Sequence, residues 1–456
     1  MSESFRTEHD TMGPVRVPAG ALYGAQTQRA VENFPISSLR FGRAFLDALG
    51  MVKRAAAGAN RQAGVLSPEV ASAIETAAAE VAQGRHDAQF VVDVFQTGSG
   101  TSTNMNANEV IAARATALLG APVHPNDHVN RSQSSNDVFP TAMHIAAART
   151  ANSALLPAMD ALRQALDTKR GQFWEILKIG RTHLQDAVPM RLGQEFGGYA
   201  RQVELAQDRI RKALENIYEL PLGGTAVGSG INAPDGFATT AIATLAENTG
   251  LPFREATNHF EAQAARDAGI FLSASLRSYA LVLIKIANDI RWLGSGPRCG
   301  LGELQWPEVQ PGSSIMPGKV NPVIAESVLM VCAQVIGYDA AIAWCAGAGS
   351  LELNTMMPLM AYDLLVSIEL LTNASRNFTE RCIIGVEANT TRLRDSLERS
   401  LALATAMTPE IGYERAALIA KTAHDSNRTI REVAEESSGI SKERLAELLD
   451  PITMVG

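Results

Sequence analysis

A mainly α-helical fold is what this sequence predicts, and three observations predict it. Of the 456 residues, 46% are hydrophobic but only 5% aromatic, so Ala, Leu, Val and Ile carry the apolar content. Ala and Leu are strong helix formers, and few turn signals interrupt the middle of the chain. Apolar residues there recur at helical spacing. A chain of this length has room for two or three structural units and can bury a large core.

Taken in order, the first third, 1–133, mixes helical stretches with long polar loops. From about Asn136 the pattern changes to long helices separated by short Gly/Pro breaks. Phe196, Tyr199, Val203, Ile210, Leu214 and Ile217 share one helical face, and Pro221-Leu-Gly-Gly224 ends that segment. A proline-free run from Asn258 to Leu293 follows, stopped by Gly294-Ser-Gly-Pro297. At ~1.5 Å per residue a helix over that run approaches about 50 Å. A third long helix is expected from Pro322, which suits a first helical turn, through Val328, Val331, Val335 and Ile342. It is apolar on more than one side, which implies packing partners on more than one side. These segments, 134–391, predict a bundle that assembles with copies of itself. The more charged remainder, 392–456, predicts a small helical unit, with an amphipathic segment at Lys442–Leu449.

Several function classes are disfavoured. The net charge of −8 gives no sign of a nucleic-acid surface. The first thirty residues carry Glu3, Arg6, Glu8, Asp10 and Arg16 without an apolar stretch, so no secretory signal is expected. No uninterrupted apolar run approaches the roughly 20 residues that span a bilayer, and a cytoplasmic location is the default expectation. Cys299, Cys332, Cys345 and Cys382 are widely spaced and form no CxxC pair, so small buried core residues are expected rather than disulfides or a cluster.

Four polar segments do not read as linkers. They are Thr97–Asn106, His124–Asp137, Gly180–Asp186 and Gly312–Pro322, each rich in Gly, Ser, Thr or Asn and each expected to lead into a helix. Singly, each is as readily a turn or a helix cap. Together they offer hydroxyls, amides and backbone N–H groups near helix starts, a setting that suits a small carboxylate-bearing ligand. Lys319 and Arg131 or Arg181 supply candidate positive charge. No P-loop pattern is present, and Gly98-x-Gly100 alone is weak support for a dinucleotide site. His124 and His128 invite comparison with a metal pair, but Pro125 and Asn126 favour a turn and no third ligand stands out, so no metal is expected.

The segment GSSIMPGKVNP, Gly312 to Pro322, resembles the signature loop of the fumarase/aspartase superfamily. TGSGTSTNMNANEV from Thr97, HPNDHVNRSQSSNDVFPT from His124, GRTHLQD from Gly180, GGTAVGSGINAP from Gly223 and IGYERAALIAKTA from Ile411 resemble its other blocks, in the same order. Within the superfamily, His183 and Gly318 resemble class II fumarases, where aspartases carry Gln and Ala, and Glu255–Ala268 is fumarase-like too. Ser102-Thr103 and Arg191 depart from the usual pattern at positions given no chemical role.

The resemblance implies a three-domain fold with a central long-helix bundle, five helices per subunit and about twenty in a homotetramer whose active sites draw on three subunits. It implies reversible anti addition of water to fumarate giving L-malate, a tricarboxylic acid cycle step needing no cofactor. Removing the C3 proton of malate leaves a carbanion delocalised into an aci-carboxylate, a charge the enzyme must stabilise beyond the ground state. On the resemblance, Ser313 is the C3 base, and a Gly-rich loop of N–H groups beside a lysine is one route to a stabilised alkoxide. His183 acts on the oxygen side, directly or through water, paired with Glu326. Lys319 and Asn321 hold the charge-gathering carboxylate, with Ser314 and Val320 nearby. Ser99, Gly100, Thr101, Ser134, Ser135, Asn136 and Thr182 hold the remaining oxygens. His124, Pro125, Asn126 and Asp127 resemble a second dicarboxylate site. From the residues alone, Ser313 reads as a turn cap and Glu326 as an exposed helix carboxylate. The rival activities are an aspartate ammonia-lyase, which reuses the same loops, and a non-catalytic helical assembly protein, which predicts erosion at Ser313, His183, Lys319 or Glu326.

Overall fold

Helices dominate the computed structural model, which describes residues 4–455. Five long helical stretches stand out: Ser135–Thr150 running through the π segment Ala151–Leu155 into Leu156–Gln172, then Leu192–Ile217, Asp267–Leu293, Val323–Ala346 and Met357–Arg381. Their number matches the resemblance. Phe196, Tyr199, Val203, Ile210, Leu214 and Ile217 are all buried, as their spacing predicts. Pro322 stands immediately before Val323, the first residue of its helix.

The chain forms two compact units. One comprises the residues up to Pro157, Gln207–Ala280 and Ala333–Thr372; the other comprises Ala158–Ala206, Leu281–Cys332 and the residues from Asn373 onward. In the first unit, Arg43–Gln62 packs on Pro68–Ala82 and on Ser135–Thr150. Phe45, Ile74, Ile111 and Phe139 are fully enclosed there. Within the second unit, residues 403–449 build a core of their own from Leu403, Met407, Ile419, Ile430, Val433 and Leu449. Capping residues delimit its short helices: the Ser441 hydroxyl accepts the Arg444 N–H ahead of Lys442–Leu448, and Thr429 with Glu432 forms a capping box.

Three local expectations are corrected. The run from Asn258 to Leu293 is two helices, because Ala265 turns extended after His259–Ala264 and the long helix begins at Asp267. Residues 5–18 form an antiparallel hairpin, Phe5–Asp10 with Gly13–Pro18, where only helices and loops are expected; exposed and covered side chains alternate along it. Gly180–Asp186 leads into a strand, not a helix. Leu177–Thr182 pairs with Gln185–Arg191, and Pro189, which has no N–H for a helical ladder, sits in the second strand.

Asp267–Leu293 and Val323–Ala346 are long and apolar enough, by length and composition, to cross a membrane. Only 50% and 33% of their most apolar windows is buried within the chain. Phe271, Leu281, Met330 and Trp344 lie exposed on them. Each helix also carries charge within its span: Arg277 and Lys285 on the first, Asp339 on the second. Asp339 accepts hydrogen bonds from Ser273 Oγ and Arg277 Nη1, both at 2.7 Å.

Candidate active site

In the first unit, the segment after Thr97 turns sharply into the helix Thr101–Leu119. The turn needs Gly100: its φ is +74°, and a Cβ there would lie 2.1 Å from Phe139 Cδ2. Phe139 belongs to an aromatic cluster with Phe45 and Phe41, ring centroids 4.8 and 5.6 Å away. Close packing of glycine on that ring brings two polar segments side by side. Ser99 Oγ lies 2.9 Å from Thr101 Oγ1, which lies 2.7 Å from Ser135 Oγ. Ser134 caps the next helix, its Oγ accepting the Asn136 N–H, and Asn136 Nδ2 donates to the Ala226 carbonyl at 2.8 Å. Three of the sequence-predicted residues, Ser99, Thr101 and Ser135, therefore join their hydroxyls next to Gly100, and Ser134 and Asn136 adjoin Ser135 at the same helix start.

Beneath this cluster lie charged residues that the sequence reading assigned to nothing. Asp137 is fully buried, and burial pushes its carboxyl up to about 6 against the opposing pull of three backbone N–H groups and the Lys53 ammonium. Lys53, also fully buried, is lowered by desolvation to about 7, with Asp137 opposing that shift. Its Nζ donates to Asn130 Oδ1 and Gln133 Oε1 at 3.1 and 3.0 Å. Asn130 Oδ1 also receives Asn104 and Asn108, each at 3.1 Å. Asp137 was legible as the acidic end of a Ser134-x-x-Asp137 capping box. Lys53 carried no local signal.

In the second unit, the loop Gly312–Asn321 closes on itself. Gly312 N donates to Lys319 O at 2.8 Å, and Asn321 Nδ2 donates to Gly312 O at 2.6 Å. A Cβ on Gly312 would fall 2.2 Å from Lys319 O, so the closure requires glycine. Ser313 Oγ accepts N–H groups from Ile315 and Met316 at 3.2 and 3.0 Å. That is the geometry of a turn cap, and it is equally a pair of fixed dipoles aimed at the oxygen, which favours negative charge there. A cavity of about 820 Å³ opens beside the loop, lined by Lys319, Val320, Asn321 and Glu326 together with Arg291 and Glu308. Ser313 and Ser314 do not line it. Glu326 is exposed, in the first turn of its helix.

His183 lies at the tip of the Leu177–Arg191 hairpin. Thr182 pairs with Gln185, so His183 and Leu184 make the two-residue turn, with φ of +57° and +62°. Turns of this kind match strand twist but favour Asn-Gly; a His-Leu pair there is strained by roughly 1 kcal/mol or more per residue. Thr182 and His183 are exposed, and among the described residues the His183 ring makes no hydrogen bond or ion pair. The hairpin is anchored at its base by buried charge. Glu303, fully enclosed, meets Lys178 Nζ at 3.1 Å and Arg181 Nη2 at 2.6 Å, in ion-pair contact rather than hydrogen-bond alignment. Lys178 also donates to Glu195 at 2.6 Å. Arg181 is thereby committed to Glu303 and does not supply free charge to a ligand. Glu303 is a lone acid in a loop, without a sequence signal of its burial.

Among the described residues no hydrogen bond or ion pair within this chain joins Ser313, His183 and Glu326 to one another. Pro125–Val129 is a short π-helical segment capped by His124, where a non-helical turn is expected: His124 Nδ1 accepts the Asn126 and Asp127 N–H groups at 3.3 and 3.1 Å, and His128 Nδ1 accepts the His124 N–H at 2.9 Å. Each ring thus spends Nδ1 on the backbone.

A family model described as lyase matches residues 13–337, and one described as the fumarase C C-terminus matches 403–456. A class II fumarate hydratase of Mycobacterium tuberculosis is 56% identical over 98% of this chain and 94% of its own length. The chain belongs to the class II fumarase family. A class II fumarate hydratase of Methylorubrum extorquens is 53% identical over 100% of this chain and 98% of its own. The crystal structure of class II fumarase from Schistosoma mansoni superposes with a TM-score of 0.96 at 40% identity, covering 99% of both chains. The segments Thr97–Asn106, His124–Asp137, Gly180–Asp186 and Gly312–Pro322 all fall inside the lyase match, as their resemblance to fumarase blocks predicts.

Replacing Glu303 by Ala strands Lys178 and Arg181 without their shared counter-charge. Breaking such a buried group costs about 3–5 kcal/mol. Urea unfolding of Glu303→Ala beside the native protein measures it; an unchanged midpoint would show that these ion pairs contribute nothing.

Proposed function

We propose that this chain is a fumarate hydratase, catalysing the reversible anti addition of water to fumarate to give L-malate. The observation that carries the proposal is identity above half over nearly the full length of curated class II fumarate hydratases, combined with the presence of Ser313, His183, Lys319 and Asn321 in the segments that resemble the family's blocks and of Glu326 just beyond them. An inactive relative would be free to lose those groups. His183 and Gly318 favour the hydratase over an aspartate ammonia-lyase.

Dehydration of malate begins with loss of the C3 proton to Ser313. The two N–H groups on its Oγ lower the cost of the alkoxide. Electron density then passes into the neighbouring carboxylate, where Lys319 and Asn321 meet the added charge. The C2 hydroxyl leaves as water with a proton from His183, directly or through a water molecule, and Glu326 stabilises the imidazolium. Thr101, Ser135, Asn136 and Thr182 hold the other carboxylate, with Ser99, Gly100 and Ser134 shaping its cradle and Ser314 and Val320 flanking Lys319. The reaction calls on no cofactor, since proton transfers and one stabilised carbanion suffice. His124, Pro125, Asn126 and Asp127 are assigned to a second dicarboxylate position outside this centre.

The active form is a homotetramer in which three subunits supply each site. Support comes from the apolar faces of Asp267–Leu293 and Val323–Ala346, which the single chain leaves exposed and which copies of the chain would cover. It comes also from the lack of any bond joining Ser313, His183 and Glu326 within one chain. The three-part division 1–133, 134–391 and 392–456 describes the same subunit by sequence.

Purified protein should consume fumarate, followed by its ultraviolet absorbance, and form L-malate without added ammonium. Ser313→Ala should lower kcat by about 100-fold or more; a wild-type rate in that variant removes Ser313 as the base. Sedimentation should give the mass of a tetramer, and a fully active monomer would overturn the shared-site assignment. Glu326→Gln removes the carboxylate that favours the imidazolium, so the acid limb of the pH–rate profile should move to lower pH. A superimposable profile would separate Glu326 from His183.

A further inference from the structure

The segment Gly223–Ala226 belongs to a block shared with the family, yet the mechanism above gives it no task. Its geometry supplies one. The buried Asp137 carboxylate accepts three backbone N–H groups: Ser134 N at 2.9 Å on Oδ1, and Gly223 N and Thr225 N at 3.0 and 2.9 Å on Oδ2. The adjacent residue, Asn136, donates from Nδ2 to Ala226 O at 2.8 Å. Two neighbouring side chains therefore grip one turn, and the circuit closes.

The turn is itself held under strain. Thr225 is buried with φ of +55°, a left-handed conformation that costs a threonine free energy. From the other side, Gln263 Nε2 donates to Thr225 O at 2.8 Å. Strained backbone persists only where surroundings over-determine it, and Asp137 and Gln263 do so from its two faces. Lys53, the charged group facing Asp137, spends its hydrogen bonds on Asn130 and Gln133, leaving the carboxylate to the N–H groups. The Ala226 carbonyl can accept only from the nitrogen of the Asn136 amide, so it fixes which way that amide faces. One Nδ2 hydrogen is taken; the other is left in a fixed direction.

We infer that Asp137 is a positioning residue for substrate binding: through the Gly223–Ala226 turn it fixes the orientation of the Asn136 amide and the Ser134-Ser135 helix start that hold the substrate's non-reacting carboxylate. This rests on the fumarate hydratase reading and adds to it a device that sets affinity for the dicarboxylate rather than the rate of proton transfer.

Asp137→Asn tests it. The asparagine is nearly isosteric but turns an NH2 towards N–H donors, so one grip is lost while the packing is kept. The expected result is a KM for malate raised about 10-fold or more, matched by weaker calorimetric binding of succinate, a dicarboxylate that cannot react, with kcat within about 3-fold of wild type. A role confined to folding would lower thermal stability and the yield of assembled enzyme but leave KM and succinate binding where they were. If Asp137→Asn does not fold, Gln263→Leu releases Thr225 from its opposite face and should show the same split at about 3-fold. Unchanged KM and succinate binding in a folded variant, or a loss confined to kcat, overturns the inference alone. A native protein that neither hydrates fumarate nor binds succinate overturns it together with the function on which it rests.

Discussion

A carboxylate taken out of water has to recover its lost hydration from N–H groups or cations, and in this chain that demand fixes the polar segments in place. Glu109, near the middle of the helix Thr101–Leu119, accepts from Gly24 N, Gln26 N and Thr27 N and from the Thr27 hydroxyl, which pins the strand-to-helix turn near the start of the chain. Asp137 gathers Ser134, Gly223 and Thr225. Glu303 gathers Lys178 and Arg181 below the hairpin tip while its own backbone binds Leu293 O and Asn389 N. Each buried acid turns a loop that composition alone would leave mobile into a fixed support, and those built by Asp137 and Glu303 carry residues assigned to substrate.

Apolar surface poses the complementary problem. Val323–Ala346 is hydrophobic nearly all round, and two thirds of its most apolar window is not buried by its own chain. Exposed Trp344 and Met330 would each cost free energy in water, of order 1.5–3 kcal/mol for a large side chain. Covering those side chains with other apolar surface removes that cost.

The regular parts of this architecture were legible because their causes are local. Helical periodicity at Phe196–Ile217 depends only on which side chains repeat, and the burial of all six apolar positions follows. Ser, Gly and Asn clusters stood out because their chemistry is unsuited to helix interiors, and Ser99, Thr101 and Ser135 do converge. Where the reading failed, a distant contact or a subtle break decided. Nothing near Ala265 announced that the run from Asn258 would split before Asp267. The Gly180–Asp186 hairpin holds a His-Leu turn, a pair without turn propensity, tolerated because Glu303 anchors Lys178 and Arg181 in the first strand.

By itself, then, the sequence determined the helical class, the helices over 196–217 and from Pro322, and the polar segments, whose resemblance implied the family and the five long stretches. Those properties follow from residue type and spacing along the chain, which folding does not alter. Tertiary structure alone decided which charges are buried and which are free. It committed Arg181 to Glu303, left Lys319 at a cavity, and put Asp137 and Asn136 on the same turn. Desolvation and directional hydrogen bonding depend on what lies across space, and residues 137 and 225 or 178 and 303 acquire their meaning only when the fold brings them within 3 Å or so of each other.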